Sequence, residues 1–202
     1  MGLFPLKGKG AFVTPVRRTL AAMQELGTRA TRAGLGSLEK LTQSGVDIVA
    51  PGVHLVPRDR VEGLLAVHGS SKIGAWFRFR GGLTGTVGTF FDDRDALAMV
   101  DLLVGKSPGT TRKIGELEES ALAEMTNIAL NGALNDVAEA YGLRFLTEPP
   151  VVAYGPKIDL AGLVPEPGAG DHSVVVETRF RAAGGTEGTL LLLFAVSGES
   201  EA

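Results

Sequence analysis

The chain has 202 residues, 44% of them apolar, which suits one compact domain or two small repeats sharing a core. A net charge of −3, with 20 lysines and arginines dispersed along the chain, argues against a nucleic-acid surface. Without cysteine there is no disulfide frame, no thiol nucleophile and no thiolate metal site.

The opening MGLFPLKGKG is broken by Pro5 and glycines, so it does not read as a signal peptide, and Leu6 stands where a myristoylation site needs Ser or Thr. A first long helix is predicted from about Val16 to Gln43, ended by Ser44-Gly45. VDIVAPGVHLV follows as a strand, then a short helix around Arg60. WFRFR at 76–80 and GTVGTFF at 85–91 read as a hairpin with a glycine-rich turn. Asp92 or Asp93 can cap a helix reaching about Val104, and GKSPGTT is a loop. A second long helix is predicted from about Lys113 to Tyr141, with Glu116, Glu118 and Glu119 suited to its N-terminal dipole and Gly142 as its stop. LRFLTEPPVVAYG again runs from helix to strand, LAGLVPEPGAGD is a loop, and SVVVETRFR with GTLLLLFAV makes a second hairpin. The longest apolar run, 190–196, is far too short to cross a bilayer, so a cytoplasmic protein without a membrane segment is expected.

Helix, strand and hairpin thus occur twice. ELGT at 25–28 matches EMTN at 124–127, each followed by 22 residues and a proline, Pro51 or Pro150. The FR pairs at 79–80 and 180–181 match, as do GTFF at 88–91 and GTLL at 188–191, always near an offset of 100. The reading is α+β: one domain over 1–202, made of a first half at about 10–105 and a second at about 110–198. The halves are expected to pair into one antiparallel sheet carrying the long helices.

Several local patterns do not carry chemistry. VDLLVGKS at 100–107 has Val100 where a phosphate loop needs Gly, and Pro108 spoils the helix that should follow. SLEK at 37–40 lacks the companions of the Ser-x-x-Lys motif. His54, His68 and His172 fall in different elements without ligand spacing, so no metal site is expected.

On the second long helix, Leu122, Ala129, Leu130, Ala133, Val137 and Ala140, with Tyr141 at the edge, form an apolar side. Ser120, Glu124, Asn127, Asn131 and Asn135 lie within an arc of about 80° roughly opposite. A solvated face is the bland explanation, but Asn is a weaker helix former than Glu, Lys or Gln and calls for another cause.

Ser120-x3-Glu124-x2-Asn127-x22-Pro150 resembles the signature of the CheC, CheX and FliY phosphatases of chemotaxis: Asp or Ser, Glu, Asn and Pro at these spacings. The duplicated layout extends the resemblance over nearly the whole chain. It implies a pseudo-twofold CheC-like domain that hydrolyses the aspartyl phosphate of a CheY-type response regulator. It further implies Asn127 as the group orienting the attacking water, Glu124 as the partner of the regulator's lysine, and Ser120 and Pro150 in support. The regulator brings its own Mg²⁺, and no cofactor is implied in this chain. The first half departs from the pattern, with Ala21, Glu25, Thr28 and Pro51 at the matching positions and Arg32 opposite Asn131, so its site is expected to be degenerate. The loop at 159–171 replaces helical material found in two-site relatives. That puts docking of a CheD-type deamidase in doubt, and is expected to leave an apolar surface for self-association or a neighbouring protein to cover. The competing reading is a non-catalytic binding module like the FliM middle domain, docking a receiver, a CheD-type deamidase or the flagellar switch.

Overall fold

The computed structural model describes residues 20–65, 73–155, 158, 163–164 and 171–196, leaving aside the side chains of 20–24, 50, 51 and 196. The elements in chain order are α1 (Leu20–Thr42), β1 (Asp47–Pro57), α2 (Arg58–Leu65), β2 (Ile73–Gly81), β3 (Gly85–Phe91), α3 (Asp93–Leu103), α4 (Glu116–Tyr141), β4 (Phe145–Thr147), β5 (Val151–Tyr154), β6 (His172–Arg181) and β7 (Glu187–Val196).

Every strand pairing is antiparallel, in the order β1-β6-β7-β3-β2-β4, and β5 also pairs with β2. The two hairpins meet in the centre, where Gly85 faces Phe194 and Phe90 faces Thr189. Each half then sends its remaining strand to the other half's hairpin: β1 joins β6, while β4 and β5 join β2. This exchange gives the sheet its pseudo-twofold character and interlocks the halves.

Register corrects one detail of the repeat. Phe79 pairs with Gly85, and Phe180 with Gly188, so Gly188-Thr189 corresponds to Gly85-Thr86 and not to Gly88-Thr89. The second hairpin has the longer connection, with a 3₁₀ turn at Ala183–Gly185, and this shifts the sequence match. Pro51 faces Thr178 on the edge strand β1, where a missing N–H is tolerated. The single strand expected over LRFLTEPPVVAYG is two, β4 and β5, because Pro149 and Pro150 interrupt its pairing with β2.

Strand alternation explains the composition of the hairpins. Leu190, Leu192 and Phe194 join the core beneath the long helices, while Leu191 and Leu193 join a second cluster on the other side of the sheet. A central strand buried on both faces reads as a continuous apolar run, as β7 does. Val61 and Leu65 of α2, with Ile158 and Leu163, complete that second cluster against Trp76, Phe90 and Val175. The loop expected to leave a surface uncovered lies mostly outside the described residues.

The long helices cross at small residues. A Cβ at Gly132 of α4 would overlap Ser37 Oγ of α1, and one at Gly34 would lie 3.3 Å from the Ala129 carbonyl. Two buried threonine pairs fix the helices to the sheet at 2.9 Å: Thr31 of α1 with Thr178 of β6, and Thr126 of α4 with Thr89 of β3. Each hydroxyl satisfies the other, so neither is buried unpaired. At the surface, Arg29 of α1 reaches Asp136 of α4, Nε to Oδ2 at 3.0 Å and a terminal nitrogen to Oδ1 at 3.4 Å.

α1 ends at Thr42, with Gln43 at a positive φ of 51°, and the expected residues before Leu20 fall outside those described. Asp92 takes the N-cap position of α3 without a side-chain capping bond, and Asp93 is already helical. Among the described residues no helix is long and apolar enough to cross a membrane.

Candidate functional site

α4 begins at Glu116 and not at Lys113, because Gly115 is its extended N-cap residue and donates its N–H to Glu118 Oε2 at 3.0 Å. That bond satisfies one group at the turn where the backbone enters the helix. The helix stops at Gly142, whose φ of 63° suits glycine, and the Leu143 N–H returns to the Ala138 carbonyl at 2.8 Å. Both ends of the 26-residue helix are therefore fixed, and its faces with them.

Leu122, Met125, Thr126, Ala129, Leu130, Ala133, Leu134 and Val137 are buried. Ala140, placed by its spacing on the apolar side, is exposed, and Tyr141 is half-buried. The opposite stripe emerges as expected: Ser120, Glu124 and Asn135 are exposed, and Asn127 and Asn131 are half-buried. Glu124 forms no hydrogen bond or ion pair with another described residue. Ile128, also on this surface, is 38% exposed.

Ser120 and Pro150, 30 positions apart, line one shallow groove with Glu116, Glu119, Ala123 and Val152. The proline thus ends the connection from β4 to β5 beside the N-terminal turns of α4 and forms part of the groove wall. The fold therefore places Ser120 and Pro150 together, and Glu124 and Asn127 follow along the same helix.

The two amides are not independent. Asn131 Nδ2 donates to Asn127 Oδ1 at 2.7 Å, one helical turn away. The NH2 group of Asn127 makes no hydrogen bond to another described residue. Sequence spacing puts Asn131 on the stripe but outside the four-residue signature, and gives no sign that the amides bond to each other.

In the first half, Glu25 and Thr28 are exposed, as is Arg32; the side chains of Ala21 and Pro51 lie outside those described. Burial raises the pKa of Tyr141, as does the nearby Glu25, against the opposing effect of Arg29. The Glu25 surface therefore has a phenol and a guanidinium beside it, supplied in part by the end of α4. Among the described residues no group of three His, Asp or Glu side chains is placed to hold a metal.

The apparent phosphate-loop fragment at 100–107 has a structural explanation. Asp101 is buried, and its carboxylate accepts from Thr110 N at 2.8 Å, Thr111 N at 3.0 Å and Thr111 Oγ1 at 2.6 Å. Burial alone would raise its pKa, but the Thr111 hydroxyl and the backbone N–H groups of Thr110, Thr111 and Gly109 outweigh it and hold it below 3.8. The glycine-rich loop wraps a carboxylate of its own chain.

No protein-family model and no curated protein sequence matches the chain. Solved structures do. FliY from Thermotoga maritima superposes with a TM-score of 0.68 at 18% identity, over 88% of this chain and 91% of that one. The chain has the CheC-like fold. CheX in the CheX–CheY–BeF3–Mg²⁺ complex of Borrelia burgdorferi gives 0.61 at 14% identity, over 86% of this chain and 98% of that one. The FliM middle domain of Vibrio alginolyticus gives 0.56 at 16% identity, over 85% and 92%. This fold is shared by proteins named CheX, FliY and FliM alike, so the side chains on the CheC-like scaffold carry any functional distinction.

Proposed function

We propose that the protein is a phosphatase for the aspartyl phosphate of a CheY-type response regulator in chemotaxis or motility signalling. The observation that carries this reading is the α4 face, where the exposed Glu124 carboxylate, without a partner among the described residues, stands one turn before the Asn127 amide on the helix that also lines the Ser120–Pro150 groove.

The chemistry asks little of the enzyme. Water attacks phosphorus, the bond from phosphorus to the aspartyl oxygen breaks, and that oxygen leaves as carboxylate. Its conjugate acid has an ordinary pKa of about 3.9, so no protein acid is needed to protonate it. The attacking water's proton leaves with the inorganic phosphate or to solvent. What remains is to hold a water in line with the breaking bond. The Asn127 amide can accept from that water and donate toward the phosphoryl oxygens. Glu124 pairs with a lysine of the receiver and fixes the approach. Ser120 and Pro150 shape the surface against which the receiver seats. The Mg²⁺ belongs to the phosphorylated receiver, and the reaction takes place in the cytoplasm, where such receivers reside. The solved CheX–CheY complex supports a receiver as the partner.

The test is loss of label from a Mg²⁺-bound, phosphorylated CheY-type receiver, with wild type and Asn127→Ala side by side. Acceleration by wild type alone is expected. The likeness to the FliM middle domain favours a second reading, a module that binds a receiver, a CheD-type deamidase or the flagellar switch without turnover. Phosphorylation-dependent binding without acceleration would select it.

A further inference from the structure

We infer that Asn131 is a positioning residue for Asn127, holding its carboxamide in the orientation that water alignment requires. This inference rests on the phosphatase reading above. A primary amide on an exposed helix turns about its last torsion with little preference, and its two faces differ: one accepts, the other donates. A reactive group that samples both orientations aligns water for only part of the time. Here the Asn131 NH2 group, one turn on, lies 2.7 Å from Asn127 Oδ1 and selects one orientation. The bond occupies one of the two acceptor directions of Oδ1 and leaves the other for water. It also leaves the Asn127 NH2 group directed away from Asn131, without a described partner, for a phosphoryl oxygen. Donation into the carbonyl polarises the amide, strengthening the N–H groups on the other side.

The helix makes this geometry inexpensive. Residues four apart are neighbours on one face, and both amides are half-buried, so solvent competes less for the bond than at a fully exposed pair. The first half lacks the arrangement: Thr28 and Arg32 occupy the matching positions, with no carboxamide at either. The pair thus separates the two halves more sharply than Asn127 alone.

Steady-state dephosphorylation of the labelled receiver by wild type, Asn127→Ala, Asn131→Ala, Asn131→Asp and Asn131→Gln tests the inference. Asn131→Ala and Asn131→Asp, which keep no donor, are expected to lower kcat about tenfold, or about 1.4 kcal/mol of barrier, with KM within about twofold of wild type. Asn131→Gln, which keeps the NH2 group, is expected to retain at least about a third of kcat. A purely structural or docking role would not produce this pattern, because it would appear in melting temperature or in KM. Wild-type kcat in Asn131→Ala or Asn131→Asp, with Asn127→Ala inactive, would overturn the inference while leaving the phosphatase reading intact. Absence of acceleration by wild type itself would overturn both.

Discussion

The carboxylate of Asp101 offers a prediction whose size can be worked out from its contacts. It is buried near the end of α3 and accepts from three donor groups of Thr110 and Thr111 at 2.6–3.2 Å, closing the loop that leads into α4. Hydrogen bonds to an ionised acceptor contribute about 1.5–3 kcal/mol each. Thr110 is exposed and Thr111 half-buried, so in a variant these donors recover part of that from water. Asp101→Ala is therefore expected to cost about 3 kcal/mol, below the simple total. For a chain of this size that corresponds to a fall in Tm of roughly 6–12 °C. Asp101→Asn keeps the shape but turns an NH2 group toward a donor, and should lose a large part of the same stability. The pH dependence has a definite sign. The folded-state pKa is depressed, so the carboxylate's contribution is fully present above the ordinary value of 3.8 and is lost as pH falls through the folded-state value. Melting followed by circular dichroism from pH 7 to pH 3 should show the wild-type advantage over Asp101→Asn shrinking below about pH 4. A Tm for Asp101→Ala within about 1 °C of wild type at pH 7 would refute the reasoning, since substitutions that break no contact change stability by only about 0.5 kcal/mol. So would an advantage that widens in acid.

The site variants should behave differently. Asn127→Ala is expected to reduce turnover about a hundredfold or more, the scale of removing one preorganised hydrogen-bonding group. Its Tm should hold or rise slightly, because Ala is the better helix former at a half-buried position; full activity with a raised Tm would remove Asn127 from the site. Glu124→Ala is expected to raise KM for the receiver and to weaken its salt dependence, with a smaller loss of kcat, as measured by dephosphorylation between about 50 and 200 mM salt. A KM unchanged at both salt concentrations would show that Glu124 meets no charge on the partner.

Much of the architecture was legible in the sequence because it rests on periodicity and punctuation. The β-branched run of 173–181, the continuous apolar run of 190–196 and the glycine after Tyr141 each specify a local geometry, and those elements form where expected. What was not legible depends on tertiary partners. Nothing local says that β1 leaves its own half to pair with β6, since antiparallel pairing with either hairpin would satisfy its backbone. The mismatch of Gly88 with Gly188 came from a longer turn, visible only in the register. Ala140 was misplaced because helical periodicity gives the face of a residue and not what packs against it. At the site, residue types and spacing gave the stripe, but the bond between Asn131 and Asn127 depends on side-chain torsions that spacing leaves free.

That bond sharpens what would be needed to awaken the first half. A sequence comparison alone suggests Thr28→Asn, with Ala21→Ser if required. If an unheld amide is a poor water-positioning group, Thr28→Asn by itself should recover little. Arg32 at the next turn is long and charged, and it is exposed where the second half has its half-buried amide. Adding Arg32→Asn would restore a carboxamide pair at positions 28 and 32 of α1, with the same four-residue spacing as 127 and 131. The experiment belongs in an Asn127→Ala background, where the second half is expected to be silent. Dephosphorylation of the receiver is expected to rise at least about fivefold more for Thr28→Asn with Arg32→Asn than for Thr28→Asn alone, close to one hydrogen bond's worth of orientation. Equal gains from the single and double variants would show that a free amide suffices and that the pairing is incidental. Activity that survives Asn127→Ala in the parent and disappears with Glu25→Ala would show that the working face is on α1, and the assignment of the two halves would have to be exchanged.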